Sequence, residues 1–365
     1  MHIRAAAWRE MAAEREAWDA LTARAAEPNP FFERWFLLSA LQALDPGNRV
    51  SLLRFECEGE LAGIMPIMRQ ARYYRWPFPN WSSWVHANCF LGVPLVAAGK
   101  ERDFWQHVLG WADTNARQAV FLHLRAMPLD GPVTSALMEH CRETGREFAL
   151  VHGEERALLQ SSQSPQDYFE ASLSGKKRKE LRRQFARLGE LGTLTFKASQ
   201  DLDDVDGWIG DFIRLEAAGW KGEAGSAIAC DPGTAALFRD AMRGAAHAGR
   251  LQRLHLLLDG KPIAMLASFL APPGAFSFKT TFDERYARFS PGVLLQRENL
   301  EILASERIEW MDSCASADHP MIDHIWRERR KIGRISIAIG GKARRSLFHA
   351  IARSELGRQS ERPEP

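Results

Sequence analysis

At 365 residues the chain is about twice as long as an average domain, which predicts two compact units rather than one. With 45% hydrophobic and 26% charged residues, among them 12 Trp and 20 Phe, it is excluded from the disordered and collagen-like classes. A net charge of +2 singles out no class of partner.

The N-terminal stretch carries Arg4, Arg9, Glu10, Glu14, Arg15 and Glu16, so it lacks the uninterrupted apolar segment of a signal peptide. No other run approaches the roughly 20 apolar residues of a membrane span, and no membrane insertion is expected. The five cysteines (Cys57, Cys89, Cys141, Cys230, Cys314) match neither a metal-spaced set nor a disulfide framework. A reducing cytosol is the expected compartment.

Helical sequence from Phe31 to Leu44 leads into a hairpin from Val50 to Arg69, two apolar alternating runs joined at Glu58-Gly59. An aromatic, Pro-rich segment follows, Arg72 to Phe90. Its Trp76, Trp81 and Trp84 either line an acceptor groove between the two halves or pack an irregular loop. Further on, Lys176, Lys177, Arg178, Lys179, Arg182, Arg183 and Arg187 stand against Glu180, with Leu173, Leu181, Phe185 and Leu188 at helical spacing. This amphipathic helix either solubilises the surface or receives a phosphate-rich partner: the coenzyme A 3'-phosphate, a nucleotide-linked sugar or tRNA. A second basic cluster, Trp326 to Arg334, would extend it. Aromatic residues are not interleaved with these charges, so base reading is not indicated and no DNA partner is expected.

Two amphipathic stretches, Leu202 to Ala218 and Thr234 to Ala248, precede a second hairpin from Leu251 to Leu270, joined at Asp259-Gly260. Each hairpin has a small residue four positions after its turn glycine, Gly63 and Ala264, which suggests an internal repeat. The second hairpin is followed by a strand, Ala275 to Phe282, a loop, a helix, Val293 to Ser305, and a strand, Ile308 to Ser313. A helix start between neighbouring strands presents unpaired N–H groups where phosphates dock. In the loop RYARFSPGVLL, Arg288 supplies a cation, Ser290 suits a cap, Pro291 fits the first turn and Gly292 allows close backbone approach. The first half has no such loop.

From about Gln166 to Ile339 the sequence resembles the tandem-GNAT, Fem-like acetyltransferases, a family with members in bacterial cellulose and exopolysaccharide biosynthesis. The segments GKKRKELRRQFARL, RLEAAGWKGEAGSAI, DGKPIAMLASF and, above all, FKTTFDERYARFSPGVLL carry the resemblance. It implies an α/β fold with a mixed α+β sheet, built as two tandem GNAT-like acyltransferase domains. Residues 1–160 would form a degenerate copy and 161–356 the copy with the cofactor site; the polar tail 357–365 is expected to be disordered. The implied donor is acetyl-CoA or another acyl-CoA, and the implied acceptor an amine of a sugar or cell-envelope precursor. In these enzymes a loop of the form Q/R-x-x-G-x-G/A holds the coenzyme A pyrophosphate, which assigns Arg288, Ser290, Pro291, Gly292, Val293 and Leu294 to the cofactor. Pro291 and Val293 stand where the two glycines of that pattern fall, which opens two alternatives. Fem-like relatives that build peptidoglycan bridges take aminoacyl-tRNA, and a catalytically degenerate scaffold would also tolerate the change.

Acyl transfer to an amine needs a neutral amine, a donor to the oxyanion, a proton for the leaving thiolate, and alignment. In a GNAT fold these converge where the two strands flanking the cofactor helix part. Asp312, an acid ending an apolar strand, leads as general base, with a strand-end cap as the other reading. Asp283 is a second candidate or a turn residue; Glu216, before AAGWKG, is a third or a solvated helix end. Lys279 and Thr281 share a strand face and either contact phosphate or acceptor, or pack. Trp220 and Lys221 shape an acceptor cleft or fill the loop. Cys314 and His319 lack a third partner, and direct transfer needs no acyl-cysteine. The acceptor's identity and the oligomeric state are left open.

Overall fold

A computed structural model describes residues 1–317, 319 and 321–360. The chain opens with strand β1 (His2–Ala7) and helices α1 (Trp8–Met11), α2 (Arg15–Ala23) and α3 (Arg34–Leu44). It continues through the hairpin β2 (Ser51–Cys57) and β3 (Glu60–Gln70), then β4 (Asn80–Ser83), β5 (Leu95–Val96), α4 (Glu101–Thr114), β6 (Phe121–Pro128), α5 (Pro132–Glu143) and β7 (Phe148–Leu159). After α6 (Pro165–Ser172) and α7 (Gly175–Gly189) come β8 (Leu194–Ser199), α8 (Val205–Ala217), α9 (Trp220–Glu223) and α10 (Pro232–His247). The last part holds β9 (Leu251–Leu258), β10 (Lys261–Ala271), β11 (Gly274–Phe282), α11 (Pro291–Asn299), β12 (Trp310–Asp312), β13 (Glu328–Ala338) and α12 (Lys342–Ser360).

Two compact units divide these elements. One comprises Met1–Leu41, Asp45–Glu154 and the chain from Lys331 on, the other Gln42–Leu44 and Glu155–Arg330. The division therefore departs from a simple split at 160. Residues from Lys331 on, expected in the second domain, belong to the first, because β13 pairs antiparallel with β6 from Ile332↔Pro128 to Ala338↔Phe121. Phe348 and Ala352 of α12 add to that unit's core against Tyr73, Phe121 and Val151. Of the tail expected to be disordered, 357–360 lie in α12 and 361–365 lie outside the described residues. Among the described residues no helix is long and apolar enough to cross a membrane.

Both units repeat one topology. In the first, β1, β2, β3 and β4 pair antiparallel in that order, and β4 pairs parallel with β6 beyond α4. In the second, β8, β9, β10 and β11 pair antiparallel, and β11 pairs parallel with β12 beyond α11. Both hairpin turns have positive φ at their two central residues, Glu58 (55°) and Gly59 (85°), Asp259 (49°) and Gly260 (75°), the backbone of a type I′ turn. The small residues at the repeated position have one cause. A Cβ at Gly63 would lie 2.6 Å from the Phe104 ring of α4, while Ala264 packs in the cluster that holds Leu294 and Leu295 of α11. Gly63→Ala is expected to cost about 1–3 kcal/mol through overpacking, read as a lower urea midpoint; an unchanged midpoint would contradict this packing.

In the second unit helices cover the sheet on alternating strand positions. Leu254, Leu256 and Leu266 meet α11, whereas His255 stacks on Trp208 of α8 at 6.0 Å. Phe212 and Phe238 continue that second layer onto Phe278, which stacks on Phe269 at 4.6 Å.

Candidate functional site

The pairing of β11 with β12 is short: Gly274↔Trp310, Ala275↔Met311 and Phe276↔Asp312. There β12 ends, while β11 runs on to Phe282, so the two strands part beside the helix that connects them. A register shift in β10–β11, Ala267↔Lys279 and then Ser268↔Ser277, leaves Phe278 as an extra residue just past the parting point. Such a bulge bends the strand and re-aims the side chains beside it.

Lys279 is the side chain so placed. It is half-buried, with its ammonium 5.5 Å from the Phe278 ring centre, and burial, then Lys221, pull its pKa to about 8, with Glu216 and Cys314 acting the other way. Glu216, at the end of α8, is 3% exposed; its Oε1 accepts from Lys221 Nζ at 2.8 Å and its Oε2 from the Ile228 amide at 2.8 Å. His319 has its pKa lowered by burial and then by Lys221, which keeps the imidazole neutral, and its buried Nδ1 has no hydrogen-bond partner among the described residues. Cys314 follows in a left-handed conformation (φ 52°). Lys279, Lys221, Glu216, Cys314 and His319, scattered over a hundred residues of sequence, thus form one electrostatic neighbourhood. Thr281 is buried, and the exposed Trp220 donates its amide to Glu284 Oε1 at 2.6 Å, tying α9 to the loop before α11.

That loop differs from expectation in how it could hold an anion. Ser290 is left-handed (φ 53°) and makes no side-chain capping bond. Its amide donates to the Ala287 carbonyl, and its carbonyl already accepts from the Val293 and Leu294 amides, both at 3.0 Å. Pro291 occupies the first turn, as its fixed φ favours. A Cβ at Gly292 would lie 2.7 Å from Met321 Sδ, so the glycine there makes room for a thioether rather than for a ligand. Leu294 is a core side chain and Val293 packs against a second cluster. The positive charge near the loop is carried by side chains. Arg288 is exposed over Phe289 (4.7 Å), and its carbonyl accepts from Gln184 Nε2 of α7 at 3.2 Å. On α7, Leu181 and Leu188 are buried while Lys176, Lys177, Lys179, Arg182, Arg183 and Arg187 are exposed, so the basic helix flanks the loop. No acid stands in the first turn of α11, whereas the matching helix of the first unit, α4, begins with Glu101 and Asp103 and repels anions.

Two of the expected bases are paired with arginines, Asp312 at the parting point itself and Asp283 after the end of β11. Asp312 is fully buried, with Oδ2 accepting from Arg156 at 2.6 Å and Arg330 at 3.2 Å and Oδ1 from the Cys314 amide at 2.9 Å. Burial raises its pKa and the two guanidinium groups more than reverse this, so the carboxylate is spent on a buried ion pair rather than free to take a proton. Asp283 caps the turn after β11 through the Arg285 amide (3.0 Å) and pairs with the Arg285 guanidinium, which holds its pKa down. Three arginines of the basic cluster expected to extend α7 are likewise committed: Arg327 lies over Tyr168, Arg329 pairs with Asp323 at 2.7 Å, and Arg330 with Asp312. Sequence reasoning missed Arg156 and Met321, whose partners Asp312 and Gly292 leave no local signal, and it gave Arg330 only as part of the basic cluster.

Comparison with known proteins bears on the fold of this part of the chain. Residues 175–319 match the profile of an Acetyltransferase (GNAT) domain, an interval that contains α7, the parting strands and His319. A crystal structure of FemX superimposes with a TM-score of 0.58 at 10% identity, covering 96% of this chain and 100% of that one. A conserved protein of unknown function from Bacteroides thetaiotaomicron VPI-5482 gives 0.55 at 13% identity, covering 90% and 97%. The C-terminal domain of a candidate lysylphosphatidylglycerol synthetase from Agrobacterium fabrum gives 0.51 at 15% identity, covering 93% and 96%. At these identities the likeness is one of fold, a mixed α/β architecture with a large mixed sheet. No curated protein matches the sequence.

Proposed function

We propose that the second unit is an N-acyltransferase that takes its acyl group from a coenzyme A thioester and passes it to an amine of a saccharide or cell-envelope precursor. The observation that carries this reading is the parting of β11 and β12 directly beside Lys279, within the GNAT-matched interval. The donor supplies an activated acyl carbon and a thiolate leaving group. Arg288 and the exposed cations of α7 suit its phosphates, since the backbone amides at the start of α11 are mostly engaged. Lys279 holds a positive charge where negative charge develops, and its pKa near 8 matches proton delivery to a thiolate. His319, neutral at pH 7, takes the proton that the amine gives up. Glu216 positions Lys221 and the turn at Ile228 that close this pocket of charge.

Calorimetric titration with acetyl-CoA tests the donor. Wild type should bind, and Arg288→Ala should bind about tenfold more weakly, the worth of one charge-assisted contact. Absence of binding by wild type would sink the reading. A second donor, aminoacyl-tRNA, is favoured by one observation, the row of exposed cations on α7 joined to the Arg288 loop through Gln184. It predicts steeply salt-dependent tRNA binding without coenzyme A binding.

A further inference from the structure

We propose that a cleft of about 730 Å³ in the first unit is a separate binding site for an amphipathic anion, with its charged head at Arg334 and Arg75 and its apolar body along α12. All residues lining it belong to that unit, so it stands independently of the acyl-transfer reading. Its volume falls in the range of small-molecule sites, roughly 300–1,000 Å³.

One wall is a single stripe of α12: Leu347, Ala350 and Ile351 at helical spacing, followed by Ser354 and Glu355 one turn on. The facing wall is the turn Tyr73 to Trp76, closed by reciprocal bonds between the Tyr73 and Trp76 backbones, both 2.9 Å. Within it Tyr74 is held at φ 51°, a conformation a bulky side chain seldom adopts without a compensating role. Tyr74, Trp76 and Leu347 are 55%, 40% and 45% exposed, so three of the ten large apolar side chains exposed among the described residues line this one cleft. Apolar surface concentrated in that way marks a binding site more often than chance exposure.

The charge around it is cationic. Arg334 donates to the Tyr74 hydroxyl at 2.8 Å, and neither it nor Arg75 has a carboxylate within ion-pair distance among the described residues. The one carboxylate in the lining, Glu355, accepts twice from the Tyr73 hydroxyl (2.9 and 3.0 Å); burial pushes its pKa up against the opposing pull of that bond and of Arg334, so it offsets part of the Arg334 charge and leaves Arg75 unopposed. Beneath Tyr74, His123 lies 3.5 Å from its hydroxyl and 3.0 Å from Ser336 Oγ, and burial keeps it neutral, so the floor adds polarity without charge. The guanidinium of Arg75 covers a face of Trp76 at 5.3 Å and that of Arg334 a face of Tyr74 at 5.7 Å. Each ring thus has a cation on one side, and the opposite wall is aliphatic at Leu347, Ala350 and Ile351. A chain-like body with one anionic end fits better than a nucleoside.

The test is calorimetric titration of the full chain with dodecyl phosphate below its micelle concentration, with dodecyl maltoside and inorganic phosphate as controls. Dodecyl phosphate should bind at least about tenfold more tightly than either control, and Arg334→Gln should lose about tenfold, as expected for one charge-assisted contact. Leu347→Asp, a change at the solvent edge of α12, should weaken it as well and keeps the test decisive should Arg334→Gln not fold. Equal binding of dodecyl maltoside or of inorganic phosphate, no binding by wild type, or unchanged affinity in Leu347→Asp would overturn the proposal.

Discussion

Asp312→Asn should destabilise the protein by about 3–5 kcal/mol, the usual cost of removing one partner from a buried ion pair. The amide keeps the shape of the carboxylate but removes the negative charge that Arg156 and Arg330, 4% and 8% exposed as side chains, meet at 2.6 and 3.2 Å. The same linkage sets an acid dependence. Because the folded-state pKa of Asp312 lies below its ordinary value, its contribution is fully present above about pH 4 and is lost as pH falls through the folded pKa. A general base would behave differently, since its amide variant would fold normally and lose activity alone. Denaturant unfolding of wild type and Asp312→Asn separates the two, and equal midpoints would return Asp312 to the list of candidate bases.

Lys279→Met should act in the opposite direction on stability while abolishing transfer. Lowering a lysine from 10.5 to about 8 means that the charged form is disfavoured in the fold, by at most about 3 kcal/mol at neutral pH. Between about pH 8 and pH 10.5 the unfolded chain holds a proton that the folded chain has released, so wild-type stability should rise with pH across that window. Methionine removes both the cost and the slope, and Lys279→Met should be more stable than wild type at pH 7. Acyl transfer should fall at least about a hundredfold, as for loss of a positioned proton donor. The wild-type pH–rate profile should decline above about pH 8, where Lys279 loses its proton, and below the lowered pKa of His319, where the imidazole gains one. A variant that is less stable than wild type and fully active would contradict both roles.

Much of this architecture is legible in sequence because it is written locally. Asp259-Gly260 and Glu58-Gly59 prescribe their turns by conformational preference, and alternating strands and amphipathic helices follow at fixed periods. The alternation of Lys279 and Thr281 likewise put them on one strand face. What sequence did not disclose depends on separations it does not encode. The return of β13 to β6 joins residues more than two hundred positions apart, as at Ile337↔Leu122. The ion pair of Asp312 with Arg156 spans 156 positions, and without its partners the carboxylate read as an available base. Gly292 read as room for an anion, but the occupant is Met321 from a later loop. Glu216 gave only the signal of a helix-end acid, since neither its burial nor its bond to the Ile228 amide has a local signature.

A crystal structure with coenzyme A would bear on the whole reading at once. The pyrophosphate is predicted beside Arg288 and the exposed cations of α7, and the sulfur between β11 beyond Phe276 and the chain at Cys314, within reach of Lys279. Coenzyme A found elsewhere, with β11 and β12 parted around no ligand, would contradict it.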